Sequence, residues 1–300
     1  MKQMKNNAML LLTALIWGCA FVAQSVGMDY VGPFTFNCVR CMIGSVVLIP
    51  VIFLMDRMKK KSGMSEEALR KERGDTRTIV TGGICCGVVL AAASSLQQFG
   101  ILFTTVGKAG FITAMYIVLV PILGIFIGKK VRPLILGCVV IAVAGLYFLC
   151  MTETLSLGLG DLLVLACAFV FSIHILVIDH FSPLVDGVRM SAIQFLTAGL
   201  ICAVPMLVWE RPVMGAIFTA WMPILYAGVM SCGVAYTLQI LGQKNADPAV
   251  ASLLLSLESV FSVLAGWVIL GQSLNGKELF GCALMFVSII LAQAPEKKAG

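Results

Sequence analysis

Two charged side chains stand inside otherwise apolar runs. They are Arg40, in PFTFNCVRCMIG at 33–44, and Glu258, in SLLLSLESVFSV at 252–263. A charge at the centre of a bilayer costs roughly 2.5–3.5 kcal/mol on insertion scales, so each of the two must face a cavity or a partner. A guanidinium can hold a carboxylate through two parallel hydrogen bonds, and a carboxyl on a cavity wall can bind a solute or carry a proton. The structural alternatives are that Arg40 pairs with Glu258 or caps carbonyls, and that Glu258 is a helix-packing hydrogen-bonder. At 1.5 Å per residue Arg40 lies about 9 Å below one surface and Glu258 about 10–15 Å from the other. An arginine side chain can cover most of the gap that remains.

Neutral polar and aromatic residues form a second set. Trp17 and Gln24 share a helical face with Phe21, and Asn37 shares one with Arg40. Gln97 or Gln98 in the third apolar run is mirrored by Gln239 in the eighth. Tyr116 and Tyr236 suit a cavity wall or an interface. Each glutamine or asparagine could equally be interhelical glue. As a set, Trp17, Gln24, Asn37, Arg40, Gln97, Gln98, Tyr116, Tyr236, Gln239 and Glu258 are the candidates for a substrate cavity. His174, about 21 Å down its run, joins Glu258 as a candidate for proton coupling, with a satisfied packing role as the alternative.

Other chemistry finds little support. There is no HExxH, GxSxG, paired aspartate or phosphate-binding loop, so ATP-driven transport by this chain alone is excluded. A membrane-embedded enzyme acting on a lipid or small metabolite stays the alternative reading, ahead of a channel or scaffold. Most of the eleven cysteines lie in apolar runs, where a thiol behaves as a small hydrophobe. Cys38-x-x-Cys41 lacks a second CxxC and a nearby histidine, so no metal and no cofactor is expected.

These residues must be positioned by membrane helices. Of 300 residues, 60% are hydrophobic and only 12% charged, and the mean hydropathy is +1.01. A soluble domain carries about 25% charged residues, so too little polar material remains to coat a globule. Apolar runs long enough to cross a ~30 Å hydrocarbon core fall at 8–27, 34–55, 79–103, 109–128, 133–150, 160–178, 190–208, 222–242, 249–270 and 276–293. The expected fold is all-α, with ten transmembrane helices. With the N-terminus cytoplasmic, seventeen of the 21 Lys and Arg residues fall on the inner side and only Lys108, Arg211 and Lys277 outside. The positive-inside rule then places both termini in the cytoplasm and explains the net charge of +6 without a nucleic-acid partner. The basic run 56–78 reads as a solvated cytoplasmic hairpin that touches anionic lipid.

The ten runs divide into two halves, 8–150 and 160–293. ALIWGCAF at 14–21 resembles AFVFSIHI at 168–175, an offset of 154, and LQQFG at 96–100 resembles LQILG at 238–242, an offset of 142. Excess length in the 56–78 loop accounts for the change of register. Because five is odd, the second half enters from the opposite side, so the repeat is inverted, the arrangement that underlies alternating access.

ALIWGCAF (14–21), FNCVRCMIG (36–44), KAGFITAMYIVLVP (108–121) and SLLLSLESVFSVLAGWVILGQSLN (252–275) together resemble the drug/metabolite transporter superfamily, EamA type, across residues 8–293. The family commonly has Pro after the Glu of span nine and Glu in the following turn; here Ser259 and Gln272 stand in those places. The resemblance implies two inverted five-helix repeats, a central cavity, a place in the cell membrane and traffic in small metabolites, amino acids or drugs. Its partners would be a small-molecule substrate and membrane lipid. Oligomeric state, direction and substrate identity stay open.

The charge asymmetry makes one direct prediction. A reporter active only outside the cytoplasm, fused within 151–159, should give signal, and the same reporter fused after Gly300 should give none. The opposite pattern would reverse the orientation.

Overall fold

The computed structural model describes residues 2–104, 106–150, 158–244, 246–270 and 276–292, and these are almost entirely helical. In chain order the helices are α1 (Lys2–Met28), α2 (Pro33–Lys61), α3 (Glu66–Arg73), α4 (Thr76–Ile101), α5 (Val106–Thr113), α6 (Tyr116–Phe126), α7 (Pro133–Cys150), α8 (Leu159–Phe181) and α9 (Gly187–Pro205). They continue with α10 (Met214–Thr219), α11 (Trp221–Leu225), α12 (Thr237–Gln243), α13 (Pro248–Leu255), α14 (Glu258–Leu270) and α15 (Gly276–Ala292). Two π-helical stretches, Met206–Glu210 and Tyr226–Tyr236, extend α9 and join α11 to α12. Among the described residues eight helical stretches are long and apolar enough to cross a membrane, and shorter apolar helices lie at 133–148 and 279–292. The expected spans 133–150 and 276–293 run to the limits of the described residues. The chain is a multi-pass membrane protein.

Successive helices run between two faces. At the near face, where the chain begins, the Asn6 side chain donates to the Lys244 carbonyl at 3.1 Å, and Arg132 donates to the Ala292 carbonyl at 3.1 Å. At the far face the Phe34 amide donates to Glu210 at 2.8 Å. In hydrocarbon there is no net gain from burying apolar surface between helices, so association depends on close contact and interhelical hydrogen bonds. Glycines supply the contact. A Cβ on Gly100 would lie 2.4 Å from Val164, and one on Gly160 would lie 2.7 Å from the Phe103 backbone, so α4 and α8 meet nearly backbone to backbone. Gly83 and Gly87 set α4 as closely on α9, and Gly145 sets α7 on α15 beside the Gly281 carbonyl. The pair α7 and α15 packs mainly on itself, and Val140 and Ile290 are exposed on it.

Several elements depart from the simple reading. The basic segment 56–78 is not a plain solvated hairpin. Helix α2 runs on past the span to Lys61, with three lysines in its last turn where the helix dipole favours cations. Helix α3 then follows, capped by Ser65, with Leu69 buried to 2% exposure. Arg73 bonds Asp56 at 2.7 Å, and its carbonyl accepts from the Asp186 amide at 3.0 Å, which docks the segment on the turn between α8 and α9.

The expected fourth and ninth spans are broken. Between α5 and α6 the bonding tightens to i−3, as Met115 to Ile112 at 3.1 Å and Ile117 to Ala114 at 3.0 Å. Pro121, which lacks an N–H, leaves the Ile117 carbonyl without its usual helical donor. Between α13 and α14 there is no proline. Instead the Ser252, Ser256 and Ser262 hydroxyls each bond a carbonyl three residues back at 2.8–2.9 Å, a habit that bends helices.

Candidate functional site

The two breaks face each other at the centre of the protein. Tyr116 opens α6, Glu258 opens α14, and the tyrosine hydroxyl donates to the carboxylate at 3.0 Å. Around this contact lies a narrow cavity of about 30 Å3. Its wall is formed by Trp17, Phe21 and Gln24 of α1, Arg40 of α2, Gln97 of α4, Thr113 of α5 and Tyr116 of α6. The other side holds Phe171 and Ile175 of α8, Ser231 and Tyr236 of the π stretch, Gln239 of α12 and Glu258 of α14.

Local structure aims these groups inward. The tight turns at 114–115 and 256–257 point Tyr116 and Glu258 at each other. The wide π turn carries Ser231 and Tyr236 to the wall; π turns recur at functional sites. Thr13 of α1 donates to the Ala235 carbonyl at 3.0 Å, so a carbonyl of the π stretch is served from outside its own helix. Trp17 packs on Tyr236, ring centroids 4.5 Å apart, and Gln97 donates to Thr113 at 3.3 Å. Ser259, in the place where the family commonly has proline, donates to the Gly110 carbonyl at 2.9 Å and ties α14 to α5. Gln272 lies outside the described residues.

The charges are arranged without mutual neutralisation. Arg40 is 3% exposed and Glu258 4%, yet they form no ion pair with each other. Arg40 donates to Gln24 at 3.2 Å and sits 5.6 Å from the Phe36 ring centroid, and its Nε has no partner. Trp17 Nε1, a donor, and Gln239 Oε1, an acceptor, are also unpartnered. The site therefore offers a cation, a carboxyl, spare donors and acceptors, and aromatic faces to something that would complete them.

Eight of the ten cavity candidates line the chamber. Asn37 and Gln98 do not: Asn37 is fully buried with both amide atoms unpartnered, and Gln98 turns to the Met28 sulfur at 3.2 Å. His174 stands off the wall as well, 3.0 Å from Gln194 and edge-on to Tyr236, with ring centroids 6.0 Å apart. Phe171 and Ile175 could have been found from sequence, since the offset of 154 carries Trp17 and Phe21 onto them. Likewise the offset of 142 relates Gln97 to Gln239 and Tyr116 to Glu258, so four such pairs share one wall. Thr113 and Ser231 gave no signal, because small hydroxyls are common in membrane helices.

Membrane-spanning helices around a central mixed-charge chamber mark the chain as a polytopic membrane protein. Within that class the chain belongs to the EamA-like transporter family, which matches residues 4–151 and again 158–293. An uncharacterized transporter of Archaeoglobus fulgidus is 28% identical over 292 residues, covering 97% of this chain and 86% of that one. The uncharacterized transporter YoaV of Bacillus subtilis is 22% identical over 283 residues, 92% of each. A crystal structure 19% identical in sequence superposes with a TM-score of 0.74 over 95% of both chains, which shows the same fold.

The absence of a carboxylate on Arg40 predicts how a variant will fold. Breaking a buried ion pair would cost about 3–5 kcal/mol. Arg40→Gln should instead change stability by less than about 1 kcal/mol, the scale of one neutral hydrogen bond, measured as thermal unfolding in detergent. A loss of several kcal/mol would restore the structural-pairing reading.

Proposed function

We propose that the protein is a secondary transporter of small organic solutes, amino acids or related metabolites and drugs, that works by alternating access between two inverted five-helix halves. The observation that carries this is the chamber itself, a buried cation and carboxyl, not paired with each other, where the broken fourth and ninth spans meet. Broken helices at the junction of two repeats are where carriers of inverted design hold their solutes.

The packing pattern supports the repeat. Taking each span to its counterpart five later, the contact of α4 with α8 becomes that of α12 and the π stretch with α1. That of α4 with α9 becomes the π stretch with α2, and that of α1 with α14 becomes α5 and α6 with α8. The contacts α2 with α9 and α7 with α15 map onto themselves. All of these contacts are present. In this reading the near face is cytoplasmic, the membrane is the cell membrane, and residues 8–150 and 160–293 are the halves.

Arg40 then anchors a solute carboxylate, while Trp17, Phe21, Phe171 and Tyr236 cover its apolar part. Glu258 completes the wall and can carry a proton when the chamber opens first to one side and then to the other. The bond to Tyr116 would be exchanged as the broken helices shift. His174, already bonded to Gln194, is a packing residue in this scheme.

The test is purified protein in liposomes, screened against labelled amino acids and metabolites with and without a pH gradient. Uptake should saturate. Arg40→Gln should weaken the apparent affinity for carboxylate solutes about ten- to a hundred-fold, the equivalent of losing a charge-assisted contact of about 1.5–3 kcal/mol. Unchanged affinity would sink the anchor role, and dependence of uptake on a pH gradient that Glu258→Gln abolishes would establish proton coupling. Alternation has its own measurement. Cysteines at Gln24 and Tyr116 should label from outside in one state, and Gln239→Cys should label from inside in the other. Labelling of both sets from one side at once would indicate a channel.

A further inference from the structure

Asp56 and Glu210 close the same two helices at opposite faces of the membrane. Helix α2 begins at Pro33 and Asp56 lies near its end. Helix α9 begins at Gly187, and Glu210 ends its π-helical extension. The two acids are separated by the offset that relates the halves (56 to 210, a difference of 154). Each reaches the beginning of the other helix. Glu210 accepts from the Phe34 amide at 2.8 Å and from the Thr35 amide and hydroxyl at 2.6 Å. Asp56 accepts from the Arg189 guanidinium and from Arg73 at 2.7 Å.

The chemistry differs in a way the sequence explains. The same offset takes Gly32 to Asp186 and Thr35 to Arg189. The start of α2 has glycine at its cap, with no side chain to satisfy the first amides, so Glu210 does it from the neighbouring helix, where the dipole also favours an anion. The start of α9 caps itself, since Asp186 accepts from the Val188 and Arg189 amides at 3.0 Å each. Asp56 therefore takes the Arg189 side chain instead of its backbone. Between the two ends, the Ser45 hydroxyl donates to the Ala192 carbonyl at 2.9 Å, and Gly199 lies against Met42.

Paired locks at opposite faces could serve as gates or as fixed pins. A gate must stand over a route to the chamber. Helix α9 supplies none of the chamber wall, and α2 supplies only Arg40, so parting these helices at either end would open no route. Both locks are also closed together. Resting on the transport reading, we propose that Asp56 and Glu210 are positioning residues that pin α2 to α9 throughout the cycle. The seam they hold keeps Arg40 at constant depth while the other helices move around it.

The proposal is tested in a background whose eleven cysteines are replaced by alanine and whose melting temperature is retained. Thr35→Cys with Glu210→Cys and Asp56→Cys with Arg189→Cys replace both locks, and a short bifunctional methanethiosulfonate links them. Uptake of the labelled amino acid that the unmodified protein carries fastest should stay within three-fold after linking both ends. A larger fall on linking either end, reversed by reduction, overturns the pin. A second readout needs no solute. Gln239→Cys is labelled with an impermeant maleimide from each side in Asp56→Asn and in Glu210→Gln. Pins predict an inside-to-outside labelling ratio within three-fold of the parent, and a larger shift in either variant identifies a gate and overturns the proposal. Failure of the transport reading shows separately, as no uptake by the unlinked parent, and the labelling ratio then decides alone.

Discussion

A backbone amide or carbonyl in hydrocarbon has no water to turn to, and every other feature of this protein answers to that constraint. It makes the spans helical. It also makes any departure from the α-helix costly unless another group steps in, and the departures here are concentrated around one chamber. Several have an identifiable substitute partner. Serine hydroxyls serve carbonyls around the break at 256–257, Ser259 serves Gly110 across helices, and Thr13 serves Ala235 in the π stretch. Much of the irregular backbone around the chamber is completed by serine and threonine hydroxyls, from the same segment or from a neighbouring helix.

The chamber wall holds pairs of residues related by the two sequence offsets, some alike and some unlike in chemistry. Trp17 and Phe171, and Phe21 and Ile175, are offset-related apolar residues on the wall, and Gln97 and Gln239 match as amides. Tyr116 and Glu258 occupy matched positions with unlike groups and bond each other directly. Arg40 breaks the pattern, because the offset leads to Gln194, which is taken up by His174. The wall thus combines matched bulk with a few unmatched polar residues.

Much of this was legible in the residues. Hydropathy carries the spans because hydrocarbon thickness sets a minimum length and a low polarity, and most of the polar wall could be named because a buried polar residue in a membrane helix needs a reason to be there. What escaped depends on lateral geometry. Depth along a helix suggested that Arg40 could reach Glu258, but depth says nothing of sideways separation, and the two bond Gln24 and Tyr116 instead. The break at 256–257 has no proline to announce it. The docking of α3 was hidden because a run so rich in charge reads as solvated, although Leu69 is buried and Arg73 ties the segment to Asp56 and to the α8–α9 turn.

The two ends of α3 differ in a way that bears on handling the protein. Gly63 has φ +87° with nothing near its absent side chain, whereas Gly74, at φ +81°, sits 2.5 Å from the Leu184 carbonyl at the point a Cβ would occupy. Extra chain inserted at Gly63 would project into water and leave the packing of α2, α8 and α9 intact. At Gly74 the same insertion would pry α3 from its seat. Gly63 is thus a natural attachment point on the near face, where a fluorophore, an affinity handle or a fiducial domain for imaging can be placed without disturbing the transmembrane helices.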